Sequence, residues 1–126
     1  MKALNIIETA YRATLEEQDD TIVWITHAMK GAGANLDVLL RGNAVNYGVK
    51  TQDASGLAFG AEHQNQPPRV AEDVAKLVSK GVAVYVVDED LVDRGIEHAA
   101  LIEGLETITR GRIAGLIGKY DQVWHW

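Results

Sequence analysis

Three consecutive acidic residues, Asp88, Glu89 and Asp90, follow an apolar run over residues 82–87. Carboxylates can act as general acids or bases, bind hard metal ions, or cap the helix that follows them. Because adjacent side chains point in different directions, this spacing is not that of a metal-binding motif. The sequence therefore predicts that Asp88 caps the next helix at the edge of a site and is not a catalytic base.

A basic residue and two asparagines follow an earlier apolar run, in LLRGNAVNYGV. The Arg41 guanidinium and the free backbone amides after Asn43 would together hold an anion. Asn46 and Tyr47 belong to the same loop and are predicted to contribute to that site. The alternative is that Arg41 pairs with a nearby carboxylate and that Asn43 only caps a helix.

Other reactive groups are few. None of the four histidines has metal-ligand spacing to another. His63 lies in a long loop and is a candidate acid, base or ligand group. The chain has no cysteine, its serines Ser55 and Ser79 have no visible base partner, and it contains no phosphate-loop or dinucleotide glycine pattern. We therefore expect no cofactor and no metal, and the sequence favours a binding protein over an enzyme.

Composition narrows the class of protein. A chain of 126 residues with 47% hydrophobic residues predicts a single domain over residues 1–126. The net charge of −6 disfavours binding to a phosphate backbone, so no nucleic-acid partner is expected. No apolar stretch approaches the roughly 20 residues of a membrane span, and the absence of cysteine fits the cytosol. We expect a cytoplasmic protein without a membrane partner.

Short apolar runs alternate with segments of helical periodicity, which is typical of an α/β fold. A helix is predicted after Asp19 or Asp20, a short one from Asn43 through Val49, and a third with Pro67 and Pro68 in its first turn. A last helix is predicted around residues 113–120. Strands are predicted over residues 3–7, 36–40, 82–87, 105–109 and 121–126, and the run over 82–87 is typical of a central parallel strand.

Ligands bind beyond the carboxyl ends of the strands in an open parallel sheet. The loops at that edge carry polar groups that share the edge and need not all converge, namely Glu8, Tyr11, Arg12, Arg41, Asn43, Asn46, Tyr47, Asp88, Glu89, Asp90, Arg110 and Arg112. The predicted ligand-binding residues are Arg12, Arg41, Asn43, Asn46, Tyr47, His63 and Asp88.

Two further segments predict contacts. Residues 50–66 form a long stretch without clear periodicity, which is usually functional or at an interface, although part of it could be a short helix. The aromatic residues of the final YDQVWHW are typical of a core or subunit interface. We expect the chain to self-associate.

The segments LDVLLRGNAVNYGV, VAEDVAKLVSKGVAVYVV, Arg94-Gly95-Ile96 and YDQVWHW resemble the DsrE/DsrF/DsrH-like family, which includes the TusD, TusC and TusB sulfur-relay proteins. The resemblance covers nearly the whole chain. It implies a three-layer α/β/α sandwich with a mainly parallel five-stranded sheet, and assembly into trimers or hexamers.

Members of this family that are active in sulfur relay carry a persulfide on a cysteine, in many relatives just after the third main strand. Here that segment reads Val87-Asp88-Glu89-Asp90-Leu91. The resemblance thus implies a non-catalytic oligomeric binding or structural partner in sulfur metabolism or sulfur relay, with sulfur-relay proteins as partners.

Two alternatives stay open. The first is a small-anion or metabolite-binding protein that uses Arg12, Arg41 and Asn43 at the carboxyl edge of the sheet. The second is an enzyme in which Asp88, Glu89 or His63 acts as acid or base.

Overall fold

A five-stranded parallel sheet organises the chain in a computed structural model that describes residues 1–52 and 55–126. The strands are β1 Ala3–Ile7, β2 Leu36–Leu40, β3 Ala58–Phe59, β4 Glu62–His63, β5 Val84–Val87, β6 Glu106–Ile108 and β7 Gln122–His125. The main sheet has the order β6-β5-β2-β1-β7, and a separate antiparallel hairpin pairs β3 with β4.

Helices cover both faces of the sheet. They are α1 Thr14–Glu17, α2 Thr21–Gly31, α3 Val70–Ser79, α4 Asp88–Asp93 and α5 Ile113–Ile117, with 3₁₀ helices over Gly42–Gly48, His98–Ala100 and Arg110–Arg112. Buried residues of α2, α3, α4 and the Gly42–Gly48 helix pack on one face, and those of α5 pack on the other. The predicted three-layer α/β/α sandwich with a mainly parallel sheet is confirmed.

The central strands are apolar because both of their faces are covered. In β2, Leu40 belongs to the cluster beneath α2 and α3, whereas its neighbour Leu39 belongs to the cluster beneath α5. In β5, Val86 and Val87 divide in the same way. Because β2 and β5 pair in parallel, their carboxyl ends, and the polar residues that follow them, lie at one edge of the sheet.

The helix α2 begins after Asp20, one of the two caps that the sequence predicts. Of the two candidate caps, Asp20 is the one that the chain uses. Its Oδ1 accepts hydrogen bonds from the backbone N–H groups of Ile22 and Val23, each at 2.9 Å. These bonds satisfy amides that have no partner within the helix.

Several predicted boundaries need correction. The prolines at 67 and 68 precede α3, which begins at Val70 after Arg69. Asn43 does not cap the helix after β2, because that helix is a 3₁₀ helix that already begins at Gly42. The loop over residues 50–66 contains the β3–β4 hairpin, and its residues 53 and 54 lie outside the described part of the chain.

No helix within the described residues is both long enough and apolar enough to cross a membrane.

Candidate functional site

Asp90 joins three of the loops at the carboxyl edge of the sheet. Its side chain is nearly buried, with the residue 7% exposed. Its Oδ2 accepts a hydrogen bond from the Gly42 N–H at 2.7 Å, and its Oδ1 accepts one from Arg110 Nη2, also at 2.7 Å. The carboxylate therefore sits at the start of the Gly42–Gly48 helix, where the sequence predicts an external anion.

The surroundings of Asp90 favour its ionised form. Burial opposes ionisation, but the Gly42 amide and the Arg110 guanidinium outweigh that effect and hold the pKa of Asp90 below its ordinary value. Asp90 is thus a fixed negative charge that ties the ends of β2, β5 and β6 together.

Asp88 does not cap α4, contrary to the prediction. The residue flanking the helix is Val87, and Asp88 is the first helical residue, whose side chain makes no capping hydrogen bond. Its Oδ1 instead contacts His98 Nε2. The helix begins one residue earlier than a cap at Asp88 requires. As the first helical residue, Asp88 points away from the backbone amides that a residue flanking the helix can reach. Its charge still lies near the positive end of the helix.

Glu89, the middle acid, accepts a hydrogen bond from the Arg110 backbone N–H at 2.7 Å. Each of the three acids therefore has a partner inside the chain. The Asp88–His98 pair joins a carboxylate to an imidazole, an arrangement in which the carboxylate can orient the ring.

The predicted anion-binding residues in the loop after β2 are also paired. Asn43 Oδ1 accepts hydrogen bonds from Arg94 Nη2 at 2.8 Å and Nε at 3.3 Å, and Asn46 Nδ2 donates to the Asn43 carbonyl at 2.8 Å. Arg41 Nε lies 3.9 Å from Glu8, whose other oxygen contacts His125 Nε2 at 2.6 Å. These contacts correspond to the alternative in which Arg41 pairs with a nearby carboxylate.

Tyr47 is fully buried and forms part of the scaffold at this edge. Its hydroxyl donates to Asp20 Oδ2 and accepts the Tyr11 N–H at 2.7 Å. Burial and the neighbouring Asp20 carboxylate raise the pKa of Tyr47. The hydroxyl of Thr14 is buried beside it and makes no hydrogen bond of good geometry with the described residues.

Arg12 and His63 lie apart from the Asp90 cluster. Arg12 is exposed and lines a groove of about 270 Å³, which Trp126 also lines. His63 is exposed on β4 of the hairpin. The seven residues predicted from the sequence are therefore divided among several places and do not form a single site. Whether any of them contacts a ligand stays a prediction.

A cavity of about 630 Å³ lies where the segment after β1 approaches the start of α3. Sequence reasoning placed Tyr11 at this edge but missed the other walls. The only signals were the long loop over residues 50–66 and the prolines that follow it. The residues lining the cavity are Tyr11, Thr14, Leu15, Lys50, Gln52, Pro67, Pro68, Arg69, Val70, Ala71 and Glu72.

Tyr11 forms one wall of this cavity in a constrained conformation. Its φ of 58° is in the left-handed region, which residues other than glycine rarely adopt. Its hydroxyl donates to Gln52 Oε1 at 2.6 Å, and its ring packs edge-to-face on Tyr47 with centroids 5.0 Å apart. Gln52 in turn donates to the carbonyls of Tyr47 and Val49. These contacts fix the wall in place.

Comparisons with known proteins agree on the fold. No model of a protein family matches the chain, and no curated protein matches its sequence. Its structure is similar to that of the YchN protein from E. coli, with a TM-score of 0.73, 19% identity and full coverage of both chains.

Two further solved structures are similar, and both are described as proteins of unknown function. MTH1491 from Methanobacterium thermoautotrophicum has a TM-score of 0.66 and 12% identity, over 98% of this chain and 97% of its own. BT1422 from Bacteroides thetaiotaomicron has a TM-score of 0.67 and 12% identity, over 98% and 94%. At these identities the comparisons establish the fold alone, and it is the fold that the DsrE-like resemblance implies.

Proposed function

We propose that this chain is a non-catalytic DsrE-like protein that acts as an oligomeric binding or structural partner in sulfur metabolism or sulfur relay. The observation that carries the proposal is the segment after β5, the third strand of the main sheet along the chain. Many members of the family that this sequence resembles have a cysteine there. This chain has three acids, each bonded within the chain. A carboxylate cannot carry a persulfide, and no cysteine stands elsewhere to replace it.

Self-association is supported by apolar side chains on the surface. Large apolar residues that are strongly exposed include Trp24, Phe59, Val92 and Trp126. Burying such surface between subunits is favourable because it removes apolar area from water. Light scattering should therefore give the mass of a trimer or hexamer, and a particle of 13.8 kDa at micromolar concentration would contradict this part of the proposal.

The sulfur-relay role is tested with a donor protein that carries a radioactive persulfide. The parent chain should bind the donor, seen as co-elution in gel filtration, and should retain no covalent label. Covalent labelling of the parent would show a different sulfur chemistry, and a failure to bind any persulfide carrier would remove the role.

A cysteine variant tests whether the segment after β5 has the geometry of a persulfide-carrier site. In Asp88→Cys the new thiol would lie beside His98, and an adjacent imidazolium lowers the pKa of a thiol and so increases its reactivity. We expect this variant to acquire label faster than Asp93→Cys, a control on the same helix whose native side chain is 65% exposed. Equal rates, or no label on Asp88→Cys, would show that this segment is not arranged as a carrier site.

A second candidate function is the binding of a small anion at Arg41. It is favoured by the loose contact of this residue with Glu8, at 3.9 Å, and by the partial exposure of its side chain, at 33%. Sulfite, thiosulfate, sulfate and phosphate should then raise the melting temperature of the parent more than that of Arg41→Ala. An unchanged response in Arg41→Ala would exclude this residue as the anion ligand.

A further inference from the structure

We propose that the cavity between Tyr11 and the start of α3 binds a small carboxylic acid with an apolar body. This site uses neither Arg41 nor the acids after β5, so it is independent of the role in sulfur metabolism.

The size and walls of the cavity suit a small organic molecule. Its volume of about 630 Å³ is within the range of about 300–1,000 Å³ that is typical of ligand sites. Apolar residues of the lining include Leu15, Pro67 and Val70. Leu15 and Tyr11 are 40% and 48% exposed although both are large apolar or aromatic side chains. An apolar ligand body would remove this surface from water, which favours binding.

The charged residues of the lining favour an anion. Lys50 and Arg69 are both part of it, whereas Glu72 is the single acid among the described lining residues. Glu72 pairs with Arg69 at 3.3 Å, and Lys50 makes no ion pair with a residue that the structure describes. The described lining therefore has one net positive charge, in a chain with a net charge of −6. A guanidinium and an ammonium are suitable partners for one carboxylate group.

Two neutral polar side chains of the cavity, those of Tyr11 and Gln52, are already committed. The Tyr11 hydroxyl donates to Gln52, and Gln52 donates both of its amide hydrogens to backbone carbonyls. The charged contacts of a ligand must therefore come from Lys50 and Arg69. Two cations on a largely apolar cavity match a monocarboxylate better than a multiply charged phosphate, which would need more hydrogen-bond donors.

The walls are also held in place before a ligand binds. Tyr11 is fixed by its bonds to Tyr47 and Gln52. On the neighbouring stretch, Gln64 Nε2 donates to the Leu15 carbonyl and Gln64 Oε1 accepts the Leu57 N–H. A preformed cavity reduces the ordering that a ligand must impose, which increases its affinity.

Octanoate is a suitable probe, with octanol as a neutral molecule of the same chain length. Calorimetric titration of the parent should show one octanoate per chain and an affinity at least about tenfold greater than that for octanol. Lys50→Gln and Arg69→Gln should each weaken octanoate about tenfold and leave octanol unchanged. Leu15→Asp should weaken both compounds, because it places a charge on the apolar wall.

Lys30→Gln is the matched control, since it removes a lysine from the last turn of α2, outside the cavity lining. It should bind octanoate as the parent does. Circular dichroism would establish that all variants are folded.

Three results would overturn the proposal: equal affinity for octanoate and octanol, unchanged affinity in both Lys50→Gln and Arg69→Gln, or tighter binding of inorganic phosphate than of octanoate in the parent. Loss of octanoate binding in Lys50→Gln with intact binding of a persulfide carrier would separate this site from the sulfur-relay role.

Discussion

Asp90 is an anion that the chain supplies to itself. It occupies the start of the Gly42–Gly48 helix and also pairs with Arg110, so one carboxylate satisfies a backbone amide and a guanidinium from two different loops. Hydrogen bonds of a nearly buried charged group contribute more to stability than those of an exposed pair, because water competes less for them. Asp88 is the matched comparison, since its contact with His98 lies on the surface.

Replacing these two acids should therefore have different effects. Asp90→Ala removes two charge-assisted hydrogen bonds and should lower the free energy of unfolding by about 2–3 kcal/mol. Asp88→Ala removes an exposed pair and should lower it by at most about 1 kcal/mol. Urea denaturation monitored by tryptophan fluorescence measures both. Similar losses in the two variants would show that Asp90 is not the structural member of the group.

At the residue scale, sequence reasoning predicted that acids lie at the sheet edge but wrongly predicted that Asp88 caps the next helix. The apolar run over 82–87 indicates where the chain leaves the core, so acids at the sheet edge are predictable. Which acid points inward depends on whether the helix begins at residue 88 or 89, and the residue types do not decide that. The partners Gly42 and Arg110 are also distant in sequence, so their convergence on Asp90 could not be inferred locally.

Among the elements, α2 is linked to the cavity by a continuous series of hydrogen bonds. Asp20 caps α2 with one oxygen and accepts the Tyr47 hydroxyl with the other. Tyr47 then accepts the N–H of Tyr11, which is in the left-handed conformation. An unfavourable backbone conformation persists only where its surroundings hold it. Tyr47 is therefore expected to fix both the helix start and the cavity wall.

The variant Tyr47→Phe tests this link. Loss of the hydroxyl leaves the Tyr11 N–H and one Asp20 oxygen without their partner, which should cost about 1–3 kcal/mol of the free energy of unfolding. Hydrogen exchange of the Tyr11 amide should also become faster under native conditions. Tyr120→Phe is the control, because it removes a hydroxyl that bonds Asp37 and not Tyr11. Equal exchange of Tyr11 in parent and Tyr47→Phe would contradict the link.

The elements differ in how well the sequence predicts them. Strands over 3–7 and 36–40 are predicted to the residue, because each mainly apolar run is bounded by polar residues. The β3–β4 hairpin was missed, since its strands have two residues each and are exposed. The cavity was missed for another reason: its walls come from residues 11–15, 50–52 and 67–72, and only the folded chain brings them together.

Over the whole molecule, two nearly buried carboxylates have pKa values below the ordinary one, Asp90 at the start of α4 and Asp37 in β2. Besides Asp90, Asp37 of β2 is nearly buried and accepts hydrogen bonds from Tyr120 at 2.6 Å and from the Ala83 N–H at 2.9 Å, with Lys2 Nζ at 2.9 Å. Burial disfavours its charge, but these three partners outweigh burial and hold the pKa of Asp37 below its ordinary value of 3.8.

The lowered pKa values of Asp37 and Asp90 predict that the folded protein loses stability in acid. Because the pKa values of Asp37 and Asp90 are lower in the folded chain, the unfolded chain binds more protons between the folded and unfolded pKa values. Their stabilising contribution is fully present above about pH 4 and is lost as pH falls through the folded pKa values. Asp19 acts in the opposite direction, since burial and neighbouring acids raise its pKa.

Melting temperatures between pH 2 and pH 6 check this prediction. The parent should lose stability steeply below about pH 4. The double variant Asp37→Asn/Asp90→Asn should be less stable at pH 6 and should lose less on acidification. A parallel decline in parent and double variant would show that other carboxylates control acid unfolding.

The position of β7 beside β1 has a consequence for how the protein is made. The Lys2 N–H bonds to Asp121, which is 119 positions further along the chain, and the strands between them are completed first. A ribosome adds about 5–20 residues per second, so on the order of ten seconds separate the synthesis of the two strands. Throughout that time one side of β1 presents unpaired N–H and C=O groups, which can pair with the strand of another nascent chain. The protein is therefore most prone to misassembly during translation, before β7 has emerged to cover this edge.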